Sequence, residues 1–266
     1  MKLLAQRVLS ATVLAPLLLL AVAAGGYWFL AAAVAISLLA TWEFYSLLRL
    51  AGYAPLWPFG IVLSVVLVLS GYLQIGELAT HVFVICLALS LIYLLFRDKL
   101  DGSLLDWSVT WLPPLYGGLL LSYTISIRGI PMGDRWLFLA LGVAWSTDIA
   151  AYFVGRAIGR HSFFHRISPR KTLEGALGGL AGGLLCCEGL SWYFGWDPIR
   201  ILPLAVIAPA AAELGDLAES FIKRQLGTKD ASHMIPGHGG MLDRIDSVIF
   251  VGVVTYFWAL WIGGAR

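Results

Sequence analysis

Charge is what this sequence has least of. Asp, Glu, Lys and Arg make up 13% of its 266 residues, against 59% hydrophobic, and the mean hydropathy is +0.83. That balance excludes a water-soluble domain with one core, because the apolar residues are too many and too continuous for the polar surface to cover. Cysteine is nearly as scarce. Cys86, Cys186 and Cys187 all lie inside apolar runs, which excludes a disulfide framework and a zinc ribbon and leaves them as small packing residues. His233 and His238 have no third nitrogen or sulfur donor nearby, so zinc is excluded as well. There is no Walker loop, no repeat at a fixed period, no low-complexity tail and nothing that points to nucleic acid.

Long apolar runs, by contrast, fill the chain. At about 20 residues per crossing, nine spans are predicted, at 6–24, 27–47, 57–73, 80–96, 105–126, 136–158, 173–194, 201–222 and 245–263. The chain therefore reads as an all-α, polytopic transmembrane protein. Met1 to Ala24 resembles a signal peptide, but the next span follows almost at once, so a retained first helix is expected. Pro113-Pro114 with Gly117-Gly118 should kink span 5. With a cytoplasmic amino terminus, only Arg128, Arg135, Arg200 and Arg266 of the 18 Lys and Arg fall on the outer side, as the positive-inside rule requires. Spans 1–5 (residues 1–135) are short of ionisable groups, Glu43 being the main exception, and read as a scaffold. Spans 6–9 (residues 136–266) carry intramembrane acids and basic loops, and read as the catalytic region.

Three constellations stand out. In span 6, Asp148, Tyr152, Gly155 and Gly159 recur every three or four residues and share a helix face. This predicts a closely packed helix with its carboxylate turned inward; the competing reading of Asp148 is a partner for a structural cation. The run Ser168-Pro169-Arg170-Lys171-Thr172-Leu173-Glu174-Gly175 has the grammar of a loop entering a helix, with Thr172 as cap and Glu174 in the first turn. Ser168, Arg170, Lys171 and the amides of that helix start suit a phosphate; a positive-inside anchor would explain the two cations but not Glu174.

In span 8, Glu213, Asp216, Ser220 and Lys223 or Arg224 line one face that ends at the water. An acid left to lipid costs about 2.5–3.5 kcal/mol, so these need a partner. A divalent cation is the economical one, and oxygen ligands favour magnesium. Finally, Pro236-Gly237-His238-Gly239-Gly240 is a backbone able to approach an anion, with Asp243 and Asp246 three apart at the start of span 9. Carboxylates for metal, cations for phosphates and glycine amides together are the inventory of phosphoryl or nucleotidyl transfer.

The run from Ser220 to Asp246, with Ser220, Ile222, Lys223-Arg224, Lys229-Asp230, Ser232, Ile235-Pro236, His238-Gly239-Gly240 and Asp243-Arg244-Ile245-Asp246, resembles the signature of the phosphatidate cytidylyltransferases, or CDP-diacylglycerol synthases, without departure. Asp148 with Ala151-Tyr152, and SPRKTLEG, resemble the family's upstream segments; spans 1–5 resemble it only in hydropathy and length. The resemblance implies a homodimeric, multi-pass enzyme of the bacterial cytoplasmic (inner) membrane. It would join CTP to phosphatidate on the cytoplasmic face, giving CDP-diacylglycerol and pyrophosphate, with Mg2+ and a monovalent cation such as K+ as cofactors. Asp216, Asp243 and Asp246 would then hold magnesium and, with Lys229 and Asp230, form the catalytic group. Lys223, Arg224, Lys229 and Arg244 would bind phosphates together with Ser168, Arg170 and Lys171, while Ser220, His238, Gly239 and Gly240 orient them. Two alternatives stay open: a related CTP-dependent transferase or kinase acting on an ether-lipid phosphate or polyprenol, and, distantly, a transporter. Ionisable residues gathered near one face without an inverted repeat speak against the last.

Overall fold

The computed structural model describes the chain except Met1, Lys99, His233, 235–238 and 265–266, and describes backbone alone at 2–11 and 263–264. Expectations that rest on Lys99, His233, His238 and Arg266, or on the side chains of Lys2 and Arg7, lie outside the described residues. The described chain is about 80% helical with no strand. Its α-helices are α1 (Lys2–Ala24), α2 (Gly26–Leu50), α3 (Trp57–Leu73), α4 (Gly76–Leu95), α5 (Ser103–Thr110), α6 (Leu121–Ser126), α7 (Gly133–Ile158), α8 (Leu173–Tyr193), α9 (Pro198–Gln225) and α10 (Leu242–Gly264). Six of them, α2, α4, α7, α8, α9 and α10, are long and apolar enough to cross a membrane, while α3 and the described part of α1 are shorter apolar helices. The three cysteines are free.

Predicted span 5 is the most irregular. Its α-helix stops at Thr110, and Pro114–Leu120 forms a π-helical segment before α6. Pro114 has no amide to give the Thr110 carbonyl four residues back; Tyr45 of α2 donates its hydroxyl to that oxygen instead, at 2.6 Å. Ser37 likewise donates to the Gly117 carbonyl at 3.0 Å. Side chains of a neighbouring helix thus satisfy backbone groups that lipid could not.

The chain divides into two compact units. The first comprises Met1–Ser126 and Gln225–Asp243, the second Ile127–Arg224 and Arg244–Arg266. In the first, α3 packs against α2, α4, α6 and the π segment, and the Thr41 and Ser64 hydroxyls bond at 2.9 Å between α2 and α3. In the second, α7 and α8 form the most extensive helix pair. Their closeness follows from composition. A Cβ added at Gly178 would stand 2.5 Å from Val154 Cβ, and one at Gly182 2.4 Å from Ala150 Cβ. Lipid supplies no hydrophobic drive between helices, so a small-residue stripe that lets backbones approach is what holds such a pair.

This makes the α7–α8 contact testable by one methyl group. Gly178→Ala overpacks it and should cost about 1–3 kcal/mol, lowering the thermal midpoint of the detergent-solubilised protein. At Gly189, also in α8, nothing lies within 4 Å of the added Cβ. Gly189→Ala should leave the midpoint unchanged or raise it, by up to about 1 kcal/mol.

Candidate active site

The second unit gathers the acids. α9 brings Glu213, Asp216 and Glu219 to it at intervals of three residues, α10 brings Asp246, and the loop before α8 brings Lys171. Gly215 lets α9 and α10 meet beside these acids. A Cβ there would fall 2.5 Å from the Asp246 carbonyl oxygen and 3.0 Å from the Phe250 ring. As a result, one carboxylate oxygen each of Asp216, Glu219 and Asp246 lies within 4.8 Å of the others. Glu219 is 1% exposed and Asp246 8%.

Such a cluster needs positive charge or donors, and it has both. Lys171 Nζ stands 2.8 Å from Asp216 Oδ2 and 3.1 Å from Glu213 Oε2. Lys223 pairs with Glu219 one turn back along α9. Ser220 donates to Asp216 Oδ1 at 3.3 Å. The Ser247 amide donates to Asp246 Oδ1 at 2.7 Å, and its hydroxyl to Asp148 Oδ1 at 3.2 Å. Burial pulls the Lys171 ammonium towards neutrality, but Asp216 and Glu213 outweigh it and hold the group above the usual lysine value. The ammonium charge is therefore kept through neutral pH and is lost only as pH rises through that raised value.

Oxygen-only carboxylate ligands at this spacing, with no sulfur or imidazole grouped with them among the described residues, suit a small hard divalent cation. The residues present fit the metal that this chemistry calls for. Glu213 adds a further acceptor: among the described residues none donates a hydrogen bond to its buried Oε1.

The entrance to α8 has the geometry that SPRKTLEG predicts. The Lys171 amide donates to the Ser168 carbonyl at 3.1 Å, closing a turn with Pro169 at its second position. Thr172 is the N-cap, its hydroxyl accepting from the Gly175 amide at 3.1 Å. Glu174 reaches back to the Arg160 and His161 amides at 3.0 and 3.2 Å. Arg170 is exposed, and Arg224 donates to the Ile167 carbonyl at 3.2 Å.

Lys229, Asp230, Gly239, Gly240 and Asp243 belong to the first unit, Lys229 and Asp230 being exposed. Asp243, expected on the metal, has Oδ2 taken up by the Ala231 amide at 3.2 Å and the Gly240 amide at 2.7 Å. The Gly240 amide, expected to face a phosphate, is engaged by that same bond. Arg244, in the second unit, is exposed. Of the predicted stripe in span 6, Gly155 packs on Gly175, where a Cβ would meet its Cα at 3.3 Å, but Tyr152 is exposed and its hydroxyl accepts from Arg156 at 2.9 Å. Glu219 was absent from the predicted set. Its signal in the sequence is its place three residues after Asp216, beside the stripe through Ser220.

Lys171→Met strips Glu213 and Asp216 of their shared cation. With Asp216 a third exposed, the loss should be about 1–3 kcal/mol, below the full cost of breaking a buried pair. Adding Glu213→Gln should restore part of it in thermal unfolding, as a coupled pair requires.

The chain is similar to known proteins over nearly its whole length. A model of the "Cytidylyltransferase family" matches residues 5–261. A phosphatidate cytidylyltransferase of Synechocystis sp. is 33% identical over 96% of each chain. That of Brucella suis is 35% identical over 94% of this chain and 91% of its own, and that of Pseudomonas aeruginosa 32% identical over 97% of each. With these relatives and its apolar helices, the chain belongs to the cytidylyltransferase family.

Proposed function

We propose that the chain joins CTP to phosphatidate in the bacterial cytoplasmic membrane. A phosphate oxygen of phosphatidate attacks the α-phosphorus of CTP, the bond from that phosphorus to the oxygen bridging the β-phosphorus breaks, and CDP-diacylglycerol and pyrophosphate form. The observation that carries this reading is the convergence of the Asp216, Glu219 and Asp246 oxygens within 4.8 Å in a chain of this family, with Lys171 and Lys223 already at their edges.

Asp216, Glu219 and Asp246 would hold Mg2+. Bound there, it would offset the repulsion between the two anionic substrates. The protein's own task is positioning and charge. Lys171 and Lys223 have only to exchange a carboxylate oxygen for a phosphate oxygen, and Ser220 keeps Asp216 oriented meanwhile. No side chain need remove a proton, because the attacking phosphate is already an anion. The exposed cations Arg170, Lys229 and Arg244 would draw in polyphosphate by long-range attraction. Their crowding on one side of the predicted spans supports a site on the cytoplasmic face, where CTP is found.

Purified protein given CTP, Mg2+ and phosphatidate should form CDP-diacylglycerol and pyrophosphate in equal amounts, and should prefer CTP to ATP. Asp216→Asn, Glu219→Gln and Asp246→Asn should each lower kcat/KM by about 100-fold or more, the scale of losing one preorganised charge at a reacting phosphate. Each should also raise the Mg2+ needed for half activity by about 10-fold or more. Equal use of ATP removes the cytidylyl assignment. Undiminished activity in Asp216→Asn with Asp246→Asn removes the metal assignment.

A further inference from the structure

Glu43, the acid that stood out in the otherwise lipid-like spans, has no part in the chemistry above, yet it is 1% exposed. Both of its oxygens are in use. Oε1 accepts from the Ser232 hydroxyl at 2.7 Å and Oε2 from the Leu242 amide at 2.8 Å, partners 189 and 199 residues away in the chain. All three residues lie in the first unit. Leu242 is the first residue of α10, so its amide is one of the donors that a helix start leaves without an internal partner, and a carboxylate is favoured there. Gly240 sits against the same group: a Cβ at that position would meet the Glu43 carboxylate at 2.4–2.8 Å. Asp243 works from the other side, joining the Ala231 and Gly240 amides, and Gly239 turns the chain with φ +78°, a conformation that favours glycine. Two carboxylates thus tie residues 231–232 to residues 240–242, the two ends of one loop.

We infer that Glu43 is a positioning residue for the cytidylyl transfer, an inference that rests on the proposed function. From the scaffold helix α2 it pins the loop that carries Lys229 and Asp230 and the first turn of α10, one turn ahead of Asp246. It touches no reacting group itself. Its role is to hold Ser232 and residues 240–242 at fixed positions, so that the start of α10 keeps one alignment towards the phosphates.

Glu43→Met in the full-length protein is the test, since it nearly keeps the size but removes both acceptors that Ser232 and Leu242 use. Hydrogen exchange of the 239–245 backbone should quicken about 10- to 100-fold, the scale of one charge-assisted bond lost, while α7 and α8 keep their protection. KM for CTP and the Mg2+ needed for half activity should each rise about 10-fold. A smaller folded fraction would lower kcat alone and leave both unmoved. Gly240→Ala, which expels the carboxylate from the opposite side, should reproduce both changes, and the double variant should be no worse than the worse single one. Unchanged exchange at 239–245 in both single variants overturns the clasp. Faster exchange with unchanged KM for CTP and unchanged Mg2+ dependence overturns the positioning role. A wild type that forms no CDP-diacylglycerol removes the function and the kinetic half of the inference, while the exchange half stands or falls by itself.

Discussion

A carboxylate set into the end of a membrane helix must have its charge met by something other than water, and the rest of this structure depends on how that demand is satisfied. The Glu213, Asp216 and Glu219 carboxylates of α9 are buried or half-buried, where an uncompensated charge would be costly enough to expel the helix or protonate the group. Two lysines meet that charge. Lys171 answers Glu213 and Asp216 together, and Lys223 answers Glu219 from one turn away.

Bringing acids from separate helices together requires backbones to come closer than ordinary side chains permit. Gly215 achieves this between α9 and α10, where the space for a Cβ is taken by the Asp246 carbonyl and Phe250. The glycines of α8 do it against α7 and α9, Gly179 standing so near Glu213 that a methyl would lie 2.5 Å from its carboxylate. The abundance of glycine in an otherwise helical membrane chain, 29 residues, is therefore tied to the site as much as to the packing. Removing side chains from these positions is how the fold sets carboxylates side by side.

Much of this was legible in the sequence, and the part that was not has a common cause. Hydropathy predicted helices along the apolar runs, of which six rather than nine are long and apolar enough to cross a membrane; Pro113-Pro114 predicted the kink that falls at the π segment, and SPRKTLEG predicted the Thr172 cap, because all of these are local. The acids of α9 and α10 were legible for the same reason, as charges in oil. What spacing could not supply was the partner. Asp243 and Asp246 lie three apart and look equivalent on a helical wheel, yet Asp243 turns back to the Ala231 and Gly240 amides while Asp246 meets Asp216 and Glu219. Glu219 escaped notice because a stripe drawn through Ser220 fits the helical period as well as one drawn through Glu219. Glu43 could be seen as an anomaly, but its partners lie nearly two hundred residues away, beyond any pattern in the chain.

These partners also divide the acids by what each is free to do. Glu43 and Asp243 accept from the backbone amides of Leu242, Ala231 and Gly240. Releasing such a carboxylate to bind a ligand would leave buried donors unmet, at a cost comparable to losing the local structure. Asp216 and Glu219 instead hold lysine ammoniums at the end of flexible stems and, for Asp216, a serine hydroxyl. A lysine can leave one anion for another without disturbing the backbone, since its charge is satisfied by any oxygen within reach. The acids met by amides are therefore committed to the architecture, and those met by ammonium groups are exchangeable. By that criterion the exchangeable acids of this protein lie on α9, and Glu43 and Asp243 serve first as its frame.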